Sequence, residues 1–255
     1  MGLAKGQGMT SETIQLLKNW TEGMSAVELK RHVIAEGLLP KATNYRTSDL
    51  VSRVFAPRYL TNGAMAAKNL KRLLSLGVAA DRLLQLFLIY TARANLILRD
   101  FITDVYWPHY NAGSRMLQKS DVVAFLKAAQ VTGKMPNKWS DAVRLHASRD
   151  VLSALTDFKL TRDMPQGRRE IVPYNIQPIT TLYLAHEVHF NGRSDQAVLD
   201  HPDWKLFGLD RRKVLDELRK VADEGHFIVQ FSGDLLRVSW KYKTMEECLD
   251  GIAQR

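Results

Sequence analysis

The chain has 255 residues, 45% of them hydrophobic and 25% charged, with 36 Lys and Arg against 27 Asp and Glu for a net charge of +9. This composition excludes an extended disordered chain, and the single cysteine, Cys248, excludes an intramolecular disulfide and any multi-cysteine metal site. The positive excess is uneven: residues 1–167 hold 23 Lys and Arg against 13 Asp and Glu, whereas residues 168–255 hold 13 against 14.

Residues 1–8, MGLAKGQG, are Gly-rich and aperiodic and read as a disordered leader outside the fold. Apolar residues at i, i+3 and i+4 then predict a succession of helices. Ser11 is placed as the N-cap of a helix carrying Ile14, Leu16, Leu17 and Trp20. Ser25 with Glu28 three residues on forms a capping box, and Gly37 stops that second helix. After the loop PKATNY, Thr47 or Ser48 is expected to cap a third helix that Pro57 ends or kinks. Asn62-Gly63 signals a turn, and the next helix runs from Ala64 to Gly77.

Asp81 is expected to open a long core helix that continues to Pro108. Its segment LLQLFLIYTARANLIL (83–98) is the most apolar in the chain, yet Gln85, Arg93 and Asn95 interrupt it. A bilayer span needs about 20 apolar residues, and a central Arg costs about 2.5–3.5 kcal/mol to insert. The segment therefore reads as the central buried helix of a soluble domain. Ser120 and Ser140 are placed as caps of two further helices, the second ending near Lys159.

Residues 161–178, rich in Pro, Gly and charge, are expected to be a linker or crossing segment, with a helical bundle over 9–165 and a second domain over 166–255. In that second domain come a helix around TLYLAHEVHF, a short helix, a loop with Gly208, a helix capped by Asp210 and stopped by Gly225, and the stretch GHFIVQFSGDLLRVSWKY. The last alternates apolar and polar residues around Ser232-Gly233-Asp234, which predicts a β-hairpin. This order is that of a winged helix, in which helices and hairpin complete one core that neither can close alone. The expected fold is mainly α, with one solitary hairpin.

The charge run over 41–72 is the feature that points outward. Lys41, Arg46, Arg53, Arg58, Lys68, Lys71 and Arg72 stand against Asp49 alone. Residues 25–37 and 47–59 form a helix-turn-helix-like pair, and Tyr45 and Tyr59 beside its arginines offer stacking surfaces. A local basic field of this density suggests duplex DNA gripped through its phosphates; the plainer reading is a solvated face. Arg211, Arg212 and Lys213 at the start of the helix before the hairpin could add phosphate contacts, although Asp216, Glu217 and Asp234 lie close by.

Catalytic chemistry finds little support. His186-Glu187-Val188-His189 has its histidines at i, i+3, whereas a zincin helix needs i, i+4, so core packing accounts for it better. His146, Ser148 and Asp150 sit along one helix with nothing to activate the serine, and Cys248 lacks a flanking base. There is no P-loop and no G-x-G-x-x-G after a strand. Neither a cofactor nor a metal is expected.

The strings RDFITDVY (99–106), RDVLSALTDFKL (149–160), REIVPYNI (169–176), TLYLAHEVHF (181–190), VLDHPDWKLFGLDRRKVLDELRKVADEGHF (198–227) and VSWKYKTMEE (238–247) resemble the BrxA family of bacteriophage-exclusion (BREX) defence systems. The resemblance implies a small, non-enzymatic cytosolic component of a multi-protein anti-phage system, partly similar to the NusB fold and able to bind DNA. It leaves two alternatives open: an adaptor that docks onto other BREX proteins without touching DNA, and a NusB-like RNA binder. Membranes and small-molecule substrates are not expected partners.

Overall fold

The computed structural model describes residues 9–40, 42–135, 139–233 and 235–254. The leader 1–8, Lys41 and Asp234 lie outside them. The chain divides into two compact units, Met1–Ala67 with Phe87–Tyr174, and Lys68–Leu86 with Asn175–Arg255.

The first unit opens with α1 (Thr10–Asn19) and α2 (Ala26–Ala35). Ser11 does not cap α1: the cap position is Met9, with φ 42°, and Ser11 lies in the first turn, where its hydroxyl donates to Glu12. The Ser25–Glu28 capping box forms as expected. Gly37, with φ 60°, closes α2 while Leu38 N–H donates to Val33 O, the pairing of a Schellman end.

The third helix starts earlier than the sequence suggests. Thr43 has extended backbone and its Oγ1 accepts from Arg46 N, so α3 spans Asn44–Asp49 and Thr47 is buried inside it. The chain then takes a π turn over Leu50–Phe55 before α4 (Ala56–Tyr59). The same device recurs downstream, where α7 (Leu96–Phe101) passes through a π turn over Ile102–Tyr106 into α8 (Trp107–Asn111). Ala56 N–H donates to Val51 O, and Trp107 N–H to Ile102 O, an i to i−5 register. In each case proline follows, Pro57 and Pro108. Proline has no N–H for the carbonyl four residues back, and its ring would strike that carbonyl. Widening the turn ahead of it lets each helix continue.

The long helix expected over 81–107 is broken. It begins at Leu84 as α6 (Leu84–Ala94), after α5 (Met65–Ser75) and a turn. Asn95 has φ −133° and ψ 93°, and its Oδ1 accepts from Leu98 N to start α7 afresh. An asparagine side chain competes for backbone N–H groups and so favours caps over helix interiors.

A short strand, β1 (Met116–Leu117), follows, then α9 (Lys119–Val131) and α10 (Asp141–Asp157). Ser140 caps α10 as expected, whereas the cap position of α9 is Gln118, whose N–H donates to Asp121, ahead of Ser120. The first half of the expected linker is β structure: β2 (Thr161–Asp163) and β3 (Arg169–Ile171) join β1 in an antiparallel sheet of order β1-β3-β2. The hairpin is thus not the only β structure in the chain. Tyr106 anchors this sheet by donating to Leu160 O at 3.0 Å.

In the second unit α11 (Pro178–Phe190) is buried at every position from Ile179 to His186, the polar Thr180, Thr181 and His186 included, as befits a central helix. Around it stand α12 (Asp195–Leu199), α13 (Arg211–Asp223), the hairpin β4 (Phe227–Ser232) and β5 (Leu235–Trp240), and α14 (Met245–Ala253). Asp210 caps α13. The hairpin pairs Phe227 with Trp240 and Ser232 with Leu235, and buries Phe227 and Leu236. Its β5 edge is closed by side chains: Asp195 accepts from Val238 N and Trp240 Nε1, and Gln196 accepts from Leu236 N.

Candidate nucleic-acid interface

Charge separates along the division of the chain. The first unit holds 21 Lys and Arg against 13 Asp and Glu, a net of +8; the second holds 15 against 14. A polyanion is attracted to the first far more than to the second.

Within the first unit, the segment from α3 to α4 presents some of the expected cations and hides others. Arg53 projects from the π turn with its side chain 68% exposed and pairs with Asp49 at 3.3 Å. Arg46 is half-buried on α3, its Nη2 3.6 Å from Met9 Sδ. Tyr45 beside it is 72% exposed and presents a ring to solvent. Arg58 is different. It is only 5% exposed, and burial pushes its pKa down against the smaller opposing influence of the neighbouring Tyr59 phenol. Tyr59 is itself fully buried among Phe55, Phe87 and Tyr90. Arg58 therefore drops out of the surface set, and Tyr59 does not offer a stacking face.

Lys68, Lys71 and Arg72 lie on α5, in the second unit, and two of them meet acids that the sequence pattern did not connect to them. Arg72 makes a bidentate contact with Asp250 of α14, at 2.7 Å to each carboxylate oxygen from Nη2, with Nε adding a third bond at 3.0 Å. That hydrogen bonding raises the Arg72 pKa. Lys68 lies 3.4 Å from Glu246, one turn earlier on α14. The cations at 68 and 72 and the acids at 246 and 250 share the i, i+4 spacing of one helix face, a complementarity that the string TMEECLD carried. Lys71 is half-buried on the same helix.

Arg211, Arg212 and Lys213 all lie exposed in the first turn of α13, which contains no acidic residue. Cations at a helix N-terminus oppose the macrodipole, at about 0.3–1 kcal/mol each. Asp200 offsets one of them by accepting from Arg211 at 2.9 Å.

His186, His189 and Cys248 are packed into the second unit. His186 is fully buried, Nδ1 lies 2.9 Å from Leu182 O, and burial holds its pKa down at about 4. His189 stacks on Trp240 with centroids 4.3 Å apart. The HEVH segment is thus core packing, and among the described residues no group of three His, Cys, Asp or Glu could hold a metal ion. Cys248 is a buried free thiol whose pKa burial pushes up. No helix of the described residues is long and apolar enough to cross a membrane.

A model of the BrxA family matches residues 1–188, ending inside α11. The strings over 198–247 lie beyond that match. No curated protein matches the chain. The match spans most of the sequence: the chain belongs to the BrxA family.

Proposed function

From BrxA membership and the charge of the first unit, we propose that the chain is a non-enzymatic cytosolic component of a bacteriophage-exclusion defence system that binds duplex DNA through phosphate contacts. The observation that carries this reading is the net charge of +8 on the first unit, beside +1 on the second. Arg46 and Arg53 on the α3–α4 segment are the leading contacts, with Tyr45 at their side. Arg211, Arg212 and Lys213 add phosphate contacts from the winged-helix-like domain. Arg58 lies too deep to contribute, and Lys68 and Arg72 contribute little because Glu246 and Asp250 already hold them. Backbone contacts of this kind position a protein without reading sequence, so binding tolerates many sequences.

The test is a gel shift of duplex DNA with Arg46→Glu/Arg53→Glu. Retention equal to the wild-type chain overturns the assignment, and tighter binding of single-stranded RNA than of duplex DNA would favour the RNA-binding alternative.

A second reading rests on a separate observation. The outer face of the hairpin exposes Ile228 (63%) and Leu235 (70%), the kind of apolar pair an adaptor would place against another BREX protein. Co-purification of partner subunits that is lost on Ile228→Glu, by a chain with no salt-sensitive affinity for nucleic acid, would support that reading over the first.

A further inference from the structure

The two long edges of the hairpin β4–β5 are finished differently. On the β5 side, Leu236 N–H donates to Gln196 Oε1 and Val238 N–H to Asp195 Oδ2, so both residues turn their backbone groups away from β4. Their cross-strand partners are Phe231 and Val229. Opposite residues of an antiparallel pair either exchange both hydrogen bonds or turn both sets outward. Phe231 and Val229 therefore aim their N–H and C=O groups at the far edge of β4. Among the described residues nothing pairs with them there.

Proteins blunt an open edge with lysine, proline, a bulge or a covering element. The β5 edge is covered in this way by the start of α12. β4 has none of these devices: FIVQFS carries no charge and no proline, and its six residues pair one to one with Leu235–Trp240. Ile228 and Leu235 project exposed from the outer face of the hairpin, and Phe231 stands exposed beside the open edge. Arg237 lies opposite Gln230 on the outer face, exposed and without an ion pair among the described residues.

We propose that the β4 edge takes an added strand from another protein: an extended segment, apolar at alternate positions, with an Asp or Glu on the face it shares with Arg237. The backbone groups of Val229 and Phe231 supply the ladder, and the alternate side chains supply the selectivity. The added strand would run about 10 Å from β5, a gap that a guanidinium and a carboxylate side chain span together. A second copy of β4 brings no acid to meet Arg237, so the charge favours a different chain. The inference rests on the adaptor reading and deepens it, since it names pairing along an edge as the mode of docking.

The probe is a set of short overlapping peptides tiled across the other BREX proteins, titrated with the full chain. At least one peptide with the alternating, acidic pattern should bind. Binding should slow amide hydrogen exchange at Val229 and Phe231 about tenfold or more, and leave Ile228 and Gln230, already paired with β5, unchanged. Phe231→Pro removes one outward donor that the ladder to β5 does not use, a position where proline is tolerated; peptide affinity should fall about tenfold. Arg237→Glu, on the exposed face, should weaken binding about fivefold, and exchanging the peptide's acid for lysine should restore it. Absence of any binding peptide overturns the proposal, as does full affinity in Phe231→Pro or an unchanged charge preference in Arg237→Glu. A dimer of the isolated chain that Phe231→Pro dissolves also overturns it, by giving the edge to a second copy. Partner subunits lost on Ile228→Glu but kept by Phe231→Pro would leave the adaptor reading standing and remove the edge pairing alone.

Discussion

Arg72 and Asp250 stand 178 residues apart in the chain and form a three-bond ion pair between α5 and α14. Both side chains keep about 40% of their exposure, so solvent screens much of the attraction. Either Arg72→Ala or Asp250→Ala should cost about 1 kcal/mol, and a double-mutant cycle in urea should give a coupling of about 0.5–1 kcal/mol. The reversed pair Arg72→Asp/Asp250→Arg should recover part of the loss. A coupling near zero would mean the pair is held in place by the surrounding helices and does not help hold them.

Because α14 already occupies these cations, the two halves of the basic run should behave differently toward DNA. Affinity for a nonspecific duplex should fall with salt, by about 0.9 in log–log slope for each phosphate neutralised. Arg46→Gln/Arg53→Gln should reduce that slope by about two, whereas Lys68→Gln/Arg72→Gln should change it by well under one. Equal effects from both pairs would show that the bridges to Glu246 and Asp250 open on binding.

The sequence was most legible where a local rule acts alone. The Ser25–Glu28 box, the Gly37 and Gly77 stops, the Ser140 and Asp210 caps and the hairpin depend on neighbours within four residues or on strict alternation, and each is found as read. The misses depend on distance. Arg58 looked like one more surface cation, and only the packing of α4 around Tyr59 buries it. Lys68 and Arg72 looked unopposed because their acids are some 178 residues away. The strand β3 escaped notice because two of its three residues are charged, all three are only half-buried, and its partners are two and three residues long. The break at Asn95 could have been read: an asparagine after Ala94, with Leu98 three residues on, is an N-cap signal set inside an apolar run.

Gly251 on α14 sets two energies against each other. Alanine raises helix propensity by about 1 kcal/mol over glycine, so Gly251→Ala on an open helix face would stabilise. Here a Cβ would run into the Tyr242 ring and hydroxyl, and that hydroxyl is tied to His226 Nδ1 at 2.9 Å. Overpacking of this kind costs about 1–3 kcal/mol. A net loss of stability is expected in thermal or urea unfolding, and shortening the ring with Tyr242→Leu in the same chain should remove most of the added cost. A stabilised Gly251→Ala would show that Tyr242 swings aside freely.

His186 should give the second unit a pH-dependent stability of definite sign. Its ring is enclosed by Phe190, Phe227, Trp240 and Tyr242, with Nδ1 satisfied by Leu182 O. Burial, and to a smaller extent the charges of His189 and His226, lower its pKa from 6.5 to about 4. The unfolded chain therefore binds this proton more readily than the folded one. Stability is complete above pH 6.5 and falls as the pH drops toward 4, by about 3 kcal/mol in all. Asp150 acts in the opposite sense, since burial raises its pKa and the folded chain takes up its proton early. The contribution of His186 is isolated by comparison: His186→Leu should unfold in urea with a midpoint that falls less between pH 7 and 4.5 than that of the wild-type chain. Parallel midpoints would mean that the imidazolium is accommodated inside the aromatic cluster.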